Sequence, residues 1–223
     1  MAYLGTRRAT ELDLYIPPTG GWLAQVTLDS GAPPAAGRTT LTVADLALVG
    51  TILPDRGGLD APDRPTVVVA GGAGWLLPLA RGAYESANGV RLSTVLADLA
   101  RVAGEPYDAP AEASLGASYG WEASTDRRPA RAANILADLV ERGAVPAWRV
   151  TPSGRASFTP WPALPAADAR GVIEDRALAR GARHVALDAS AAAWLPGATV
   201  QGATITRVQF VERDGELRAV VWS

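Results

Sequence analysis

The sequence predicts a β-rich α+β fold: small β-barrel or sandwich domains with two amphipathic helices, at about 91–103 and 129–142. Three observations carry this. Short alternating segments fill the first part of the chain. Gly (23) and Pro (17) punctuate it throughout. Apolar residues then recur at helical spacing in two later segments.

Glu11-Leu12-Asp13-Leu14-Tyr15-Ile16 alternates polar and apolar, as a half-buried strand does. Pro17-Pro18-Thr19-Gly20-Gly21 ends it, because two prolines remove donors and glycine permits a turn. Trp22 to Leu28 alternates again, with Trp22, Ala24, Val26 and Leu28 on one face. Thr39 to Val43 and Leu46 to Leu53 predict two more strands joined at Ala44-Asp45. Thr66-Val67-Val68-Val69-Ala70 is β-branched, too short for a helix, and closed by Gly71-Gly72-Ala73-Gly74. Strands at this density suit a barrel or sandwich.

Leu92, Val95, Leu96, Leu99 and Val102 mark the apolar face of the first helix. Ser93 or Thr94 assists its start and Gly104 stops it. The second helix begins near Pro129, carries Ile135, Leu136, Leu139 and Val140, and ends at Gly143. Val95-Leu96-Ala97-Asp98-Leu99 matches Ile135-Leu136-Ala137-Asp138-Leu139, which invites a duplication. The flanks differ, so two helices with equal packing needs explain the match as well. Beyond them, Ala147–Val150 and Arg155–Thr159 flank a turn at Thr151-Pro152-Ser153-Gly154. Gly171–Ile173 and Arg183–Leu187 are further strands. Thr204–Val211 and Glu216–Trp222 form a terminal hairpin around Asp214-Gly215. The domain reading is a barrel-like part over 1–88, a helix-containing α+β part over 89–165, and C-terminal strands over 166–223.

Composition narrows the chemistry. Cys is absent, which excludes disulfides, thiolate nucleophiles, iron–sulfur clusters and Cys-zinc sites, without identifying a compartment. One His, His184, excludes a His-rich metal site. No apolar run is long enough to span a bilayer, and Met1 to Asp13 has no signal-peptide core. All 21 basic residues are Arg, and the net charge of −2 gives no drive toward nucleic acid.

No nucleophilic triad assembles around His184, which reads as a strand residue. Gly71-Gly72-Ala73-Gly74 lacks the Lys and spacing of a phosphate loop. Asp55, Asp60 and Asp63 could serve as paired acids or calcium ligands, but Arg56 and Arg64 offset them and a solvated loop fits better. Glu212, Asp214 and Glu216 fall where a hairpin turn meets solvent. Seven Trp against two Phe is the odd feature. Trp anchors interfaces with few rotatable bonds, and it also fills cores.

The order of these elements resembles the baseplate-hub and tail-tip proteins of tailed bacteriophages and related contractile injection machines. The residues that carry the resemblance begin with Gly21-Trp22-Leu23-Ala24-Gln25-Val26 and the run from Thr40 to Ile52. Gly74-Trp75, the helix Leu92 to Ala100, Trp148-Arg149-Val150 with its hairpin through Ser153-Gly154, and Ile205-Thr206-Arg207-Val208 follow. The resemblance implies tube-like barrels that assemble as a homo-oligomeric ring, a trimer with pseudo-sixfold symmetry or a hexamer. Such a ring continues the tail tube and seats the spike or tip, and the C-terminal strands complete the barrels. It implies a virion protein assembled in the host cytoplasm, with DNA only passing through the lumen and no stable membrane insertion. It brings no catalytic, cofactor or metal residues. Many hubs are longer, so a neighbouring ring protein is equally open.

Trp22, Trp75, Trp121, Val67 and Val69 are the interface candidates. The valines qualify because their strand carries no charge to blunt an exposed edge. Two other classes stay open: a small cell-wall glycosidase using paired carboxylates, and a sugar-binding module using exposed Trp.

Overall fold

A computed structural model describes the chain except for residues 55–57, 62–63, 124, 126–129, 168–171, 179–181, 187–189 and 201. Asp55, Arg56, Asp63, Pro129, Gly171 and Leu187, used above, lie outside the described residues. The strands of the first part are β1 (Ala2–Leu4), β2 (Arg7–Ile16), β3 (Leu23–Leu28), β4 (Gly37–Val43), β5 (Leu46–Ile52), β6 (Gly58–Ala61) and β7 (Arg64–Ala70). Then come β8 (Gly82–Glu85), α1 (Leu92–Ala103), β9 (Ser118–Trp121), α2 (Ala132–Glu141), β10 (Arg149–Val150) and β11 (Ala156–Ser157). The last part holds β12 (Val172–Leu178), β13 (Ala182–Ala186), β14 (Thr199–Val200), β15 (Ala203–Thr204), β16 (Arg207–Arg213) and β17 (Glu216–Trp222).

The chain divides into two compact units, Met1–Gly71 with Trp161–Ser223, and Gly72–Pro160. The boundary therefore falls at the Gly71-Gly72 turn, not at 88. β8 follows that turn and pairs with β9, so it belongs with the helices.

In the first unit β1 pairs with both β2 and β4, and the order β1-β4-β5-β7-β3-β2 closes into a barrel. Closure removes free edges. One edge of β2 serves two partners: Arg7 and Arg8 pair with β1, while Leu12 to Ile16 pair with β16. From there β16, β17, β13 and β12 continue the sheet. The alternation read from sequence sets the inward face. Leu12, Leu14 and Ile16 are buried with Ala24, Val26, Leu41, Leu48, Val69 and Phe210. Trp22 lies between two glycines: a Cβ on Gly50 would come 2.6 Å from its ring, and one on Gly71 would overlap the indole. The Asp-Gly turn of the β16–β17 hairpin has both residues at positive φ (53° and 79°), the conformation that matches strand twist.

In the second unit Trp75 sits in a short 3₁₀ turn, Ala73–Leu76, that packs against α1. A Cβ on Gly74 would overlap the Ala103 carbonyl, so that approach requires glycine. α1 buries Leu92, Val95, Leu96 and Leu99, but Val102 is exposed, contrary to the predicted stripe. Ser93 and Thr94 do not cap it. Arg91 holds the extended N-cap position, and the Glu112 carboxylate accepts the Ser93 N–H at 3.2 Å. Gly104 (φ 64°) ends it. α2 buries Ala132, Ile135, Leu136 and Leu139.

Candidate functional surface

Four of the five predicted interface residues are core. Trp22 is 2% exposed, Trp75 1%, Val67 5% and Val69 0%. Val67 and Val69 also belong to a strand paired with β3 on one edge and with β5 and β6 on the other, so no bare edge is left there. Trp121 alone keeps an accessible face. Among the described residues the large apolar side chains that do face solvent are Met1, Tyr3 and Leu23 in the first unit and Leu76, Leu77 and Val102 in the second. Pattern alone missed them. Leu23 alternates with the buried positions of its own strand, which is the signal that would have placed it outside.

Among the described residues no group of three or more His, Asp or Glu could hold a metal ion. Glu212, expected in solvent, is buried, with the Met1 amino group 3.6 Å away. Asp45, at the β4–β5 turn, has a structural task. Its carboxylate accepts the Ser190 hydroxyl (2.6 Å) and the N–H groups of Ala191 (2.7 Å) and Ala192 (3.1 Å), ahead of the 3₁₀ turn Ala192–Trp194. Burial pushes this carboxyl up, and the hydrogen bonds outweigh it, so the group lies below its ordinary value. Arg149 in β10 is buried and donates to the Thr159 carbonyl at 3.0 Å. Burial lowers its pKa.

A concave surface lies within the second unit, around β8 and β9. It is a cleft of about 470 Å³ lined by Arg81, Tyr84, Tyr119, Trp121, Glu122 and Arg142 among others. Antiparallel pairing puts Tyr84 directly opposite Tyr119 and Gly82 opposite Trp121. The Tyr84 hydroxyl donates to Asp98 of α1 at 3.0 Å, and the Tyr119 hydroxyl donates to Asp138 of α2 at 2.8 Å. Burial, reinforced by the Asp98 carboxylate, pushes Tyr84 up to about 12. Burial and Asp138 raise Tyr119 as well. Arg142 donates to Asp138 at 2.8 Å, which raises its pKa, and lies 5.3 Å over the Tyr119 ring.

These contacts extend the helix match noted in the sequence. Asp98 and Asp138 are its shared acids, each reached by a Tyr from the strand preceding its own helix. Each helix starts from an extended Arg, Arg91 or Arg131, and stops at a left-handed glycine, Gly104 or Gly143. The strand–helix segment thus occurs twice with the same internal bonds. The Tyr–Asp separations differ, 14 positions in one copy and 19 in the other, so equal spacing does not reveal the repeat.

No protein-family model matches the sequence, and no curated protein matches it. Solved structures do. The chain is similar to the 43 kDa tail protein of prophage MuSo2 from Shewanella oneidensis, with TM-score 0.66, 11% identity, and coverage of 99% of this chain and 95% of that one. It is similar to the tail protein from Neisseria meningitidis MC58, with TM-score 0.63, 11% identity and the same coverages of 99% and 95%. A third likeness is to the E. coli c3393 protein, a component of the type VI secretion system with structural similarity to the T4 bacteriophage tail proteins gp27 and gp5. There the TM-score is 0.61 at 9% identity, over 100% of this chain and 76% of that one. The chain has a phage tail-protein fold. It is the fold that the order of sequence elements resembles, here a β-barrel with two helices.

Proposed function

We propose that the chain is a structural component of a phage-type tail tip or baseplate, a ring-forming hub or adaptor that joins the tail tube to the spike or tip. The observation that carries this reading is the closed barrel with its strand extension, in a fold running over 99% of this chain and 95% of the MuSo2 tail protein. A ring subunit must offer surfaces to two neighbours. β12 ends the strand order with an edge that no described strand of this chain takes up, and such an edge accepts a strand from another molecule. Leu23, with Tyr15 as its cross-strand partner, adds apolar surface to the barrel exterior.

In this reading the chain is a homo-oligomer, a trimer in the first instance and a hexamer as the alternative. Its partners are tail-tube and spike or tip proteins, and DNA only passes through the lumen. It carries out no reaction. A net charge of −2 suits a channel that must not hold DNA.

Cryo-electron microscopy of the parent particle, with native mass spectrometry of the purified chain bound to tube protein, tests this. The expected result is three or six copies in a ring on the tail axis. A position off the axis would overturn it. So would release of sugar from peptidoglycan that a single carboxylate substitution abolishes.

A further inference from the structure

The repeated strand–helix pattern accounts for Tyr84, Asp98 and Arg91 through Tyr119, Asp138 and Arg131. It does not account for Trp121. The local two-fold that carries Tyr84 onto Tyr119 carries Ser86 onto Trp121, so the tryptophan has no counterpart in the first copy. Nor does it fill the core, since it remains half-exposed.

Its setting is built to hold a flat aromatic surface in place. A Cβ on Gly82, the cross-strand partner, would overlap the indole, so Trp121 rests on bare backbone. The indole N–H donates to the Ala80 carbonyl at 2.8 Å. The Tyr84 ring stands 5.8 Å away at 47°, its hydroxyl bound to Asp98. The polar atoms of both rings are satisfied internally, the Tyr119 ring stands edge-on to the indole at 6.3 Å, and both Trp121 and Tyr84 stay part-exposed. Beside them Arg81 and Glu122 are 69% and 87% exposed and only loosely paired, at 3.9 Å. They are available to exchange partners.

We infer that this cleft binds a neutral saccharide, stacked on Trp121 with the tilted Tyr84 ring at its side, and hydrogen-bonded through its hydroxyls to Arg81 and Glu122. A pyranose has an apolar C–H face ringed by hydroxyls, so it needs an aromatic platform with donors and acceptors at its rim. At about 470 Å³ the cleft has the size of a small-ligand site. Other ligand classes fit less well. A proline-rich peptide would need a free indole N–H, and this one is committed to Ala80. A cationic ligand would meet Arg81 and Arg142, the latter already over Tyr119. A nucleic acid would need a basic rim without Glu122. The site does not depend on the tail reading.

The test is titration of the full-length chain with chitotriose, maltotriose, cellotriose and a galactose trisaccharide. Tryptophan fluorescence and saturation-transfer NMR follow binding. A proline-rich decapeptide and choline serve as controls. At least one saccharide should bind saturably with Kd at or below about 1 mM. Trp121→Ala should weaken it at least about tenfold. Glu122→Gln, on an exposed side chain that the fold does not use, should weaken it several-fold with an unchanged circular dichroism spectrum. Absence of saturable binding across the panel overturns the inference. Binding that survives both substitutions, or tighter binding of peptide or choline, does so equally.

Discussion

At the scale of single residues, polar groups in this chain act mainly as structural ties. Asp45 links the β4–β5 turn to a segment more than a hundred positions away by accepting three hydrogen bonds at Ser190, Ala191 and Ala192. Replacing a carboxylate that satisfies turn N–H groups costs about 1 kcal/mol, so Asp45→Ala should lower unfolding stability by that amount in urea denaturation at neutral pH. Its pKa lies below the ordinary 3.8, so the unfolded chain takes up the proton first as acid is added. The contribution is complete above 3.8 and is lost as pH falls through the folded value. Asp45→Asn should keep most of the stability at neutral pH and lose this acid dependence. Trp22 and Trp75 show the limit of residue-type reasoning. Tryptophan suits an interface anchor and a core equally, and only the neighbouring glycines, whose missing Cβ atoms make room, decide for the core.

At the scale of elements, helices and strands were legible where their pattern is local. The apolar spacing of α1 and α2 and the alternation of β2 and β3 lie within one segment each. β1 was not legible, because three residues show no period, and its pairing with β2 and β4 depends on barrel closure. β8 was not legible either, because its partner β9 lies beyond a whole helix. The Tyr84–Asp98 and Tyr119–Asp138 bonds could not be read from spacing, yet they tie each strand to its helix and give the element pair an alkaline limit. Tyr84 ionises near 12 in the folded chain against an ordinary 10, so above 10 the unfolded chain loses its proton first. Stability from this group is complete below 10 and falls as pH rises toward 12, with Tyr119 acting in the same direction. The urea midpoint should therefore drop between these limits. Tyr84→Phe should lose about 1 kcal/mol at neutral pH and flatten part of that drop. An unchanged alkaline slope in Tyr84→Phe would show that the bond does not couple to folding.

At the scale of the whole molecule, the two units differ in how the chain builds them. The first joins distant segments: Phe210 pairs with Leu14, so its sheet is complete only after the last strands have been made. The second is one continuous stretch, Gly72–Pro160, bounded by the Gly71-Gly72 turn and by Pro160. It has its own buried set, with Trp75, Leu96, Leu99, Leu136, Trp148 and Phe158, and its strand–helix pairs are short-range. Local contacts form quickly, and a segment of this size lies above the range in which disulfides or metals are required. Residues 72–160 expressed alone should fold: a helical circular dichroism signal, dispersed amide resonances and a single cooperative urea transition. The intact chain should then unfold in two transitions, one matching the fragment. Removing 161–223 should abolish the other or shift it to lower urea, because β2 loses its partner over Leu12–Ile16. A fragment 72–160 without cooperative unfolding would mean that the core of the second unit is not sufficient to hold its fold.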